Sequence, residues 1–528
     1  MTTRFPRPLR AGASIALAVA ILAACGGPAS RHSAAAPTGE PVAGGTLTVI
    51  MANEPPQLDP AVMTNSWPTH SGQGNALYGE LLTNDPGTGE IRPGTAQSLT
   101  TTDGTTWTLT LRPGVRFSDG TPLDAEAVKF NWDRMKDRRM AAASNATAAG
   151  RIVTSTVIDP TTLQLILVEP SQHFGQDIVT SALTFIASPT ALRAGPEAFN
   201  ANPVGAGPFV LESWVRQDRM VLRKNPTYYD APRPYLDGLV IRVDTDQQRR
   251  LTSLQSGEVD MVIGTSDEYI ARAEQELGLV VTPQPLSGAT AIIFNTVKPP
   301  LDDVRARQAI VLAVDRDAVN QAAYGGAATV PTTLMSETSP FYAPDIAFAA
   351  PDRERAQQLF DELAAEGRPV ELTLTGTVAA EGSRTVQAVQ AQLSTFRNVR
   401  AEVETLDLAA WYAKLGGGDF EASVYGFPMV DPEPFLSRFF TTGSGSSYTK
   451  LSDPELDAAL AAAANSSDTA FRRDQYRRAQ ERLVADVPFL AYSRPTAAMI
   501  SAEDVGGIRF YGQGAPVFDG LWLDRPDS

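Results

Sequence analysis

The chain has 528 residues, with 60 acidic against 44 basic side chains, a formal net charge of −16, and 43% hydrophobic but only 20% charged residues. That composition is globular, the length calls for more than one domain at roughly 100–200 residues each, and the acidic balance repels nucleic-acid phosphates. Three histidines (His32, His70, His173) and one cysteine, Cys25, are too few for a histidine-based metal cluster or an internal disulfide, and no cofactor is expected.

Arg4, Arg7 and Arg10 form a basic start, Ala11 to Leu22 is a run of small and apolar residues, and Ala23-Ala24 precede Cys25. Twelve apolar residues fall short of the about 20 that span a bilayer, so residues 1–24 are expected to be a cleaved signal peptide. Leu22-Ala23-Ala24-Cys25 resembles the lipobox of bacterial lipoproteins. That resemblance implies a diacylglycerol on the Cys25 thiol and a mature chain tethered to the membrane; the alternative is a secreted protein with an incidental cysteine. Cleavage removes three arginines and leaves 504 residues of net charge −19. Residues 25–44, rich in Gly, Ala, Pro and Ser, read as a flexible tether.

The body starts with an expected strand at 46–51 (TLTVIM), followed by the loop EPPQLDP. Trp107, Leu109 and Leu111 alternate with threonines, the period of a half-buried strand. After turns at Pro113-Gly114 and Asp119-Gly120, Asp124 is placed to cap a helix whose one face carries Ala125, Val128, Trp132 and Met135. A strand at 239–243, a helix at 247–255 behind Asp246 and stopped by Gly257, and a strand at 259–263 make a β-α-β unit expected to be parallel. A strand at 291–294 and helices capped by Asp302-Asp303 and Asp315 come next, the last ending at Gly325-Gly326.

Alternation then restarts: helix 352–366, strand 370–375, helix 383–396, strand 400–405, helix 408–415, strand 420–426, helices 453–463 and 469–485, and a strand at 488–492. This predicts two α/β lobes, each with a mainly parallel sheet, whose ligand crevice lies beyond the carboxyl ends of the strands. Tyr425-Gly426-Phe427-Pro428 is then a candidate cleft wall, the alternative being an aromatic plug at a sheet edge. HExxH, GxSxG and P-loop motifs are absent, and no nucleophile is singled out, so no enzyme activity is expected.

Several stretches together resemble the family 5 extracellular solute-binding proteins of ABC importers, which include dipeptide- and oligopeptide-binding proteins. The most specific is WTLTLRPGVRFSDGTPLDAEAVKFNWDRM (Trp107 to Met135), supported by NPVGAGPFVLESW (Asn202 to Trp214), VLRKNPTYY (Val221 to Tyr229) and FNTVKPPLDDVRARQAIVLAVDR (Phe294 to Arg316). The resemblance implies a periplasmic-binding-protein-like class II α/β fold: two main lobes joined by a hinge, plus an inserted smaller domain. Its boundaries are expected as domain I over 45–83, 204–296 and 488–528, domain II over 84–203, and domain III over 297–487. It also implies a monomer that hands its solute to permease and ATPase subunits at the outer face of the cell membrane.

Peptide-binding members carry a Trp-x-x-Asp-x-x-(Asp/Glu)-Pro pattern whose first acid meets the ligand's ammonium. Here the stretch reads Tyr425 to Pro432, with Pro428 in the acid's place and Asp431 as the second acid, expected to cap the helix toward Phe440. An unpartnered buried cation costs several kcal/mol, so Pro428 serves a free amine poorly. Family positions lining the cleft further imply Thr64, Asn65, Ser66, Trp67, Trp411, Ser444, Gly445, Ser446 and Tyr492 beside Tyr425 to Pro428, with aromatic walls and hydroxyl edges. The implied ligand is a short peptide or peptide-like solute. A non-peptide solute, or a lipoprotein regulating envelope assembly on the same fold, is the alternative.

Overall fold

The computed structural model describes residues 36–525; the expected signal peptide, Cys25 and the first part of the tether lie outside them. Strand Thr46–Met51 forms the centre of a seven-stranded sheet, parallel to Gly238–Val243 on one side and Met261–Gly264 on the other. The helix joining these last two, Gln247–Gln255, starts where the Asp246 carboxylate accepts from Arg249 N at 2.9 Å. The expected β-α-β unit is therefore present and its strands run the same way, but the crossover passes over the intervening first strand.

Outside this parallel centre the sheet is antiparallel. Arg219–Lys224 and Phe209–Val215 continue it on one side, Thr496–Ser501 and Val280–Pro285 on the other. The expectation of a mainly parallel sheet fails here because Phe209–Val215 turns directly into Arg219–Lys224, and so short a connection allows only antiparallel pairing.

A five-stranded sheet follows the order Val399–Leu406, Val370–Thr377, Ala422–Gly426, Thr290–Phe294, Phe489–Ser493. Its first three strands are parallel, with helices Ala380–Leu393 and Leu408–Gly417 as crossovers; the last two are antiparallel to their neighbours. A four-stranded sheet, Ala96–Thr101, Thr106–Leu111, Thr162–Leu167 and Ile152–Asp159, is antiparallel throughout. Trp107, Leu109 and Leu111 face inward from it as their spacing predicts, and helix Ala125–Met135 covers it with Ala125, Val128, Trp132 and Met135 buried. Asp124 caps that helix through Ala127 N at 2.9 Å, and the Trp132 indole donates to Leu183 O at 2.9 Å. The 107–135 block is thus a packing unit.

The seven- and four-stranded sheets share one hydrophobic core, while the five-stranded sheet has its own. The chain passes between the cores after Pro285 and returns after Ser493, so residues 286–289 and 494–495 are the crossing segments. Gly288 has φ +90°, and a Cβ there would lie 1.8 Å from Phe427 O, so glycine is required. Arg494 is buried between the crossings and donates to Gly288 O at 2.6 Å, Leu334 O at 2.7 Å and Thr333 O at 2.6 Å. Three carbonyls take the place of a carboxylate, and burial pulls the guanidinium down to about 10. Arg494→Met strands these acceptors and is expected to cost at least about 3 kcal/mol, read as a lower urea midpoint; an unchanged midpoint would show that the crossing does not depend on it.

Candidate functional site

A cavity of about 520 Å³ lies between the two cores and draws its wall from both. A larger groove of about 1110 Å³ has no wall residue from the five-stranded lobe; most of its charges pair among themselves, Arg233 with Asp230 and Asp519, Arg509 with Asp519, and Arg92 with Asp85, while Arg112 donates to Gly94 O at 2.6 Å and burial pushes the Glu80 carboxyl up to about 8. The smaller cavity is the one that relative motion of the cores would open and shut.

One face is polar. Thr64, Asn65, Ser66 and Thr69 come from the loop before helix Ser71–Tyr78, Ser144 and Thr147 from helix Ala143–Gly150, with Thr180 and Gln513 beside them. Asn65 is committed to the fold: its amide donates to Val179 O at 2.8 Å and its oxygen accepts from the Tyr511 hydroxyl at 3.0 Å. Ser66 Oγ meets Thr69 Oγ1 at 3.2 Å. His70 supports the loop from behind, its Nδ1 3.2 Å from Thr64 N, and burial pulls the imidazole down to about 4, so it is neutral at pH 7.

The opposite face is aromatic: Tyr412, Tyr425, Phe435, Phe439 and Tyr448. Phe435 and Phe439 stack at 4.2 Å and 7°, one turn apart on helix Phe435–Phe440, and Tyr425 lies 5.2 Å from both Phe439 and Tyr448. The cavity offers a ligand rings on one side and hydroxyls on the other.

Of the residues expected in the wall, Thr64, Asn65, Ser66, Tyr425 and Ser446 line it. Trp411 does not: it lies behind Tyr425 at 5.9 Å, its indole donating to Ser423 Oγ at 3.0 Å, because its helix turns that face onto the sheet. Phe427 is likewise core, ringed by Phe435, Phe440 and Phe489, since the residue after Gly426 points inward. Tyr492, the fourth residue of strand Phe489–Ser493, is buried against Tyr324. Trp67 packs on Leu286, Val430 and Ala497 at the crossing. Gly426 and Gly445 are exposed, and Ser444 Oγ is spent on Arg438 O.

Pro428 contributes only its carbonyl, which accepts from Gln513 Nε2 of the facing lobe at 3.1 Å. Asp431 accepts from Glu433 N at 2.9 Å and pairs with buried Arg472 at 2.6 Å. It caps the turn into the helix rather than the helix itself, which starts at Phe435 after Pro434.

Besides Tyr412, Phe435 and Phe439, the residues missed in the sequence are the charged ones. Asp177, on helix Phe174–Val179, has a fully buried side chain shared between Arg151 of its own lobe at 2.6 Å and Arg438 of the facing lobe. Glu433 is 3% exposed, and burial pushes its carboxyl up to about 7 against the pull of the Ser437 hydroxyl and Arg151. Arg438, the one charged residue in the PFLSRFF run, was the available signal. Two further contacts span the cleft, Gln172 N to Ala464 O at 2.8 Å and His173 Nε2 to Ser466 O at 2.7 Å, so the structure is shut. Among the described residues there is no group of metal-ligating side chains, and no helix is long and apolar enough to cross a membrane.

Residues 90–447 match the family described as bacterial extracellular solute-binding proteins, family 5. The chain is 26% identical over 492 residues to the dipeptide-binding protein of Escherichia coli (strain K12), covering 88% of this chain and 91% of that one. Among solved structures it resembles the ABC transporter-associated periplasmic binding protein DppA from Helicobacter pylori in complex with the peptide STSA (TM-score 0.77, 23% identity, covering 92% and 99% of the two chains). The same TM-score, identity and coverage hold for AgaA of A. tumefacien R10 in complex with agropinic acid.

Arg438→Met removes the cross-cleft partner of Asp177 while Arg151 remains. Closure is expected to lose about 1.5–3 kcal/mol, seen as a larger radius of gyration of the ligand-free protein in X-ray scattering; an unaltered radius would show that the bridge does not hold the cleft.

Proposed function

The chain belongs to the family 5 bacterial extracellular solute-binding proteins, and from that premise we propose that it captures a short peptide or peptide-like solute outside the cell and presents it to the permease and ATPase of an ABC importer. The observation that carries this reading is the cavity of about 520 Å³ walled by both cores, with rings on one face and hydroxyls on the other. Peptides present both kinds of surface in alternation, and a volume of this size lies within the range of small-ligand sites. Similarity to the E. coli dipeptide-binding protein over most of both chains supports the same class.

In this proposal the lobes rock about residues 286–289 and 494–495. These flank the five-stranded sheet more closely than crossings near 297 and 488, because Thr290–Phe294 and Phe489–Ser493 are strands of that sheet. Domain I then holds the seven-stranded sheet, the inserted domain II over 84–203 the four-stranded one, and domain III closes over the ligand. Only a solute that touches both lobes stabilises the shut state, which is the source of selectivity. The chain works as a lipid-anchored monomer: a diacylglycerol on Cys25 and the 25–44 tether hold it at the outer face of the membrane.

A non-peptide solute is the second reading, favoured by the uncharged Gly426-Phe427-Pro428 stretch at the cleft edge. Thermal unfolding against a panel of di- to tetrapeptides and small metabolites tests both. At a hundredfold excess over Kd a cognate ligand contributes about 2.7 kcal/mol and raises Tm by several degrees. Shifts confined to metabolites select the second reading, and a panel with no shift overturns transport. Cys25→Ser is expected to move the protein from the membrane to the soluble fraction; retention in the membrane would overturn the anchor.

A further inference from the structure

A second contact between the lobes lies where their parallel strands end. Strand Met261–Gly264 leads into helix Asp267–Gln275, and strand Val370–Thr377 of the closing lobe leads into helix Ala380–Leu393, so two helix starts meet across the cleft. Arg384 of one helix donates to Glu268 of the other at 3.2 Å, which holds them together. Beside this bridge each lobe encloses one carboxyl, Asp267 and Glu381, close enough that the charge of Glu381 acts on Asp267. Among the described residues neither has a lysine, arginine or histidine in ion-pair contact.

The groups around the pair do not neutralise it. Asp267 Oδ2 lies 3.5 Å from the Ser493 hydroxyl. Arg384 and Glu268 act on Glu381 with opposite sign. Arg250, on the helix before, is spent on Asp244 O, Ile263 O and Thr265 Oγ1. Burial keeps Tyr324, of helix Arg316–Tyr324, and Tyr492 neutral. Ser266 Oγ, Thr385 Oγ1 and Arg384 Nε are buried without a hydrogen-bond partner. Two like charges among orphaned polar atoms make the shut interface costly unless one of the charges is removed.

We propose that Asp267 and Glu381 form a proton-operated latch: the lobes shut with a proton from solvent on this carboxyl pair and are driven apart when it leaves. The inference goes beyond capture of a solute but rests, as that reading does, on the lobes parting. Its sign follows from the two states. With the lobes apart both carboxyls face water and titrate at about 4. Shut, burial and the Glu381 charge push Asp267 up to about 7, and burial pushes Glu381 up as well. Closing therefore takes up a proton, and the closing constant falls by up to about tenfold per pH unit between about 4 and 7 and levels off above. From pH 5.5 to 8 the fall is about thirtyfold. Glu433, raised by burial, and His173, lowered by it, also titrate at the cleft. A change at Asp267 leaves both in place, so the difference it makes belongs to the pair.

X-ray scattering of ligand-free Arg438→Met, whose weakened closure brings the two states toward balance, tests this at pH 5.5 and 8. The radius of gyration is expected to grow with pH, and Asp267→Asn in the same background, equal in size and uncharged, to stay shut at both values. Glu381→Gln, which removes the like charge, is expected to show a smaller growth than its parent and stands in if Asp267→Asn does not fold. An equal radius at the two pH values in a protein that Arg438→Met has opened, or a growth in Asp267→Asn matching its parent's, overturns the latch while leaving hinged capture standing. A radius that neither Arg438→Met nor pH alters shows lobes that do not part, and overturns hinged capture and this inference together.

Discussion

A carboxylate with no access to water, the side chain of Asp177, is the constraint on which the shut arrangement depends. Taking such a charge out of water costs several kcal/mol, and the cost is met only while guanidiniums stand on both sides. Arg151 supplies one from the same lobe, but Arg438 comes from across the cleft, so full neutralisation exists only with the lobes together. The same helix entry that carries Arg438 also carries Phe435, Phe439 and Glu433, which makes the closing contact and the ligand wall one piece of structure.

The crossing segments impose a second constraint. Two short stretches must bend without separating the cores, and they are pinned by a buried guanidinium that holds carbonyls and no acid. Carbonyl partners of this kind keep their dipoles whatever the pH, unlike the acids of the cleft. Gly288 allows Phe427 to approach within a distance no side chain tolerates, and Trp67, Leu286, Val430 and Ala497 fill the space beside it. The pivot is therefore tightly packed, with its freedom confined to a few backbone angles.

Much of the architecture was legible because it rests on local chemistry. Asp124, Asp246, Asp303 and Asp315 each cap a helix by accepting a backbone N–H, and the threonine-interleaved Trp107, Leu109 and Leu111 face the core as their period requires. Sheet polarity was less legible, because strands such as Phe209–Val215 and Thr290–Phe294 take direction from partners distant in sequence. The aromatic wall was half read. The family resemblance implied Trp411 and Tyr492 in the wall and the strand-end crevice implied Phe427, while Tyr412, Phe435 and Phe439 took those places, since neither signal tells a ring that faces a cleft from one that faces a core. The charge cluster was hidden for a different reason: Arg151, Asp177, Glu433 and Arg438 come from three segments with no common spacing, and only folding brings them into reach.

The five rings of the cleft wall all belong to the closing lobe, while the serine and threonine hydroxyls, Ser446 apart, belong to the other. When the lobes part, that lobe alone turns an oily surface toward water, at about 2.5 kcal/mol for each 100 Å² laid bare. Closure by itself leaves those rings lining a cavity of about 520 Å³, so it is a guest laid against them that takes their surface out of water.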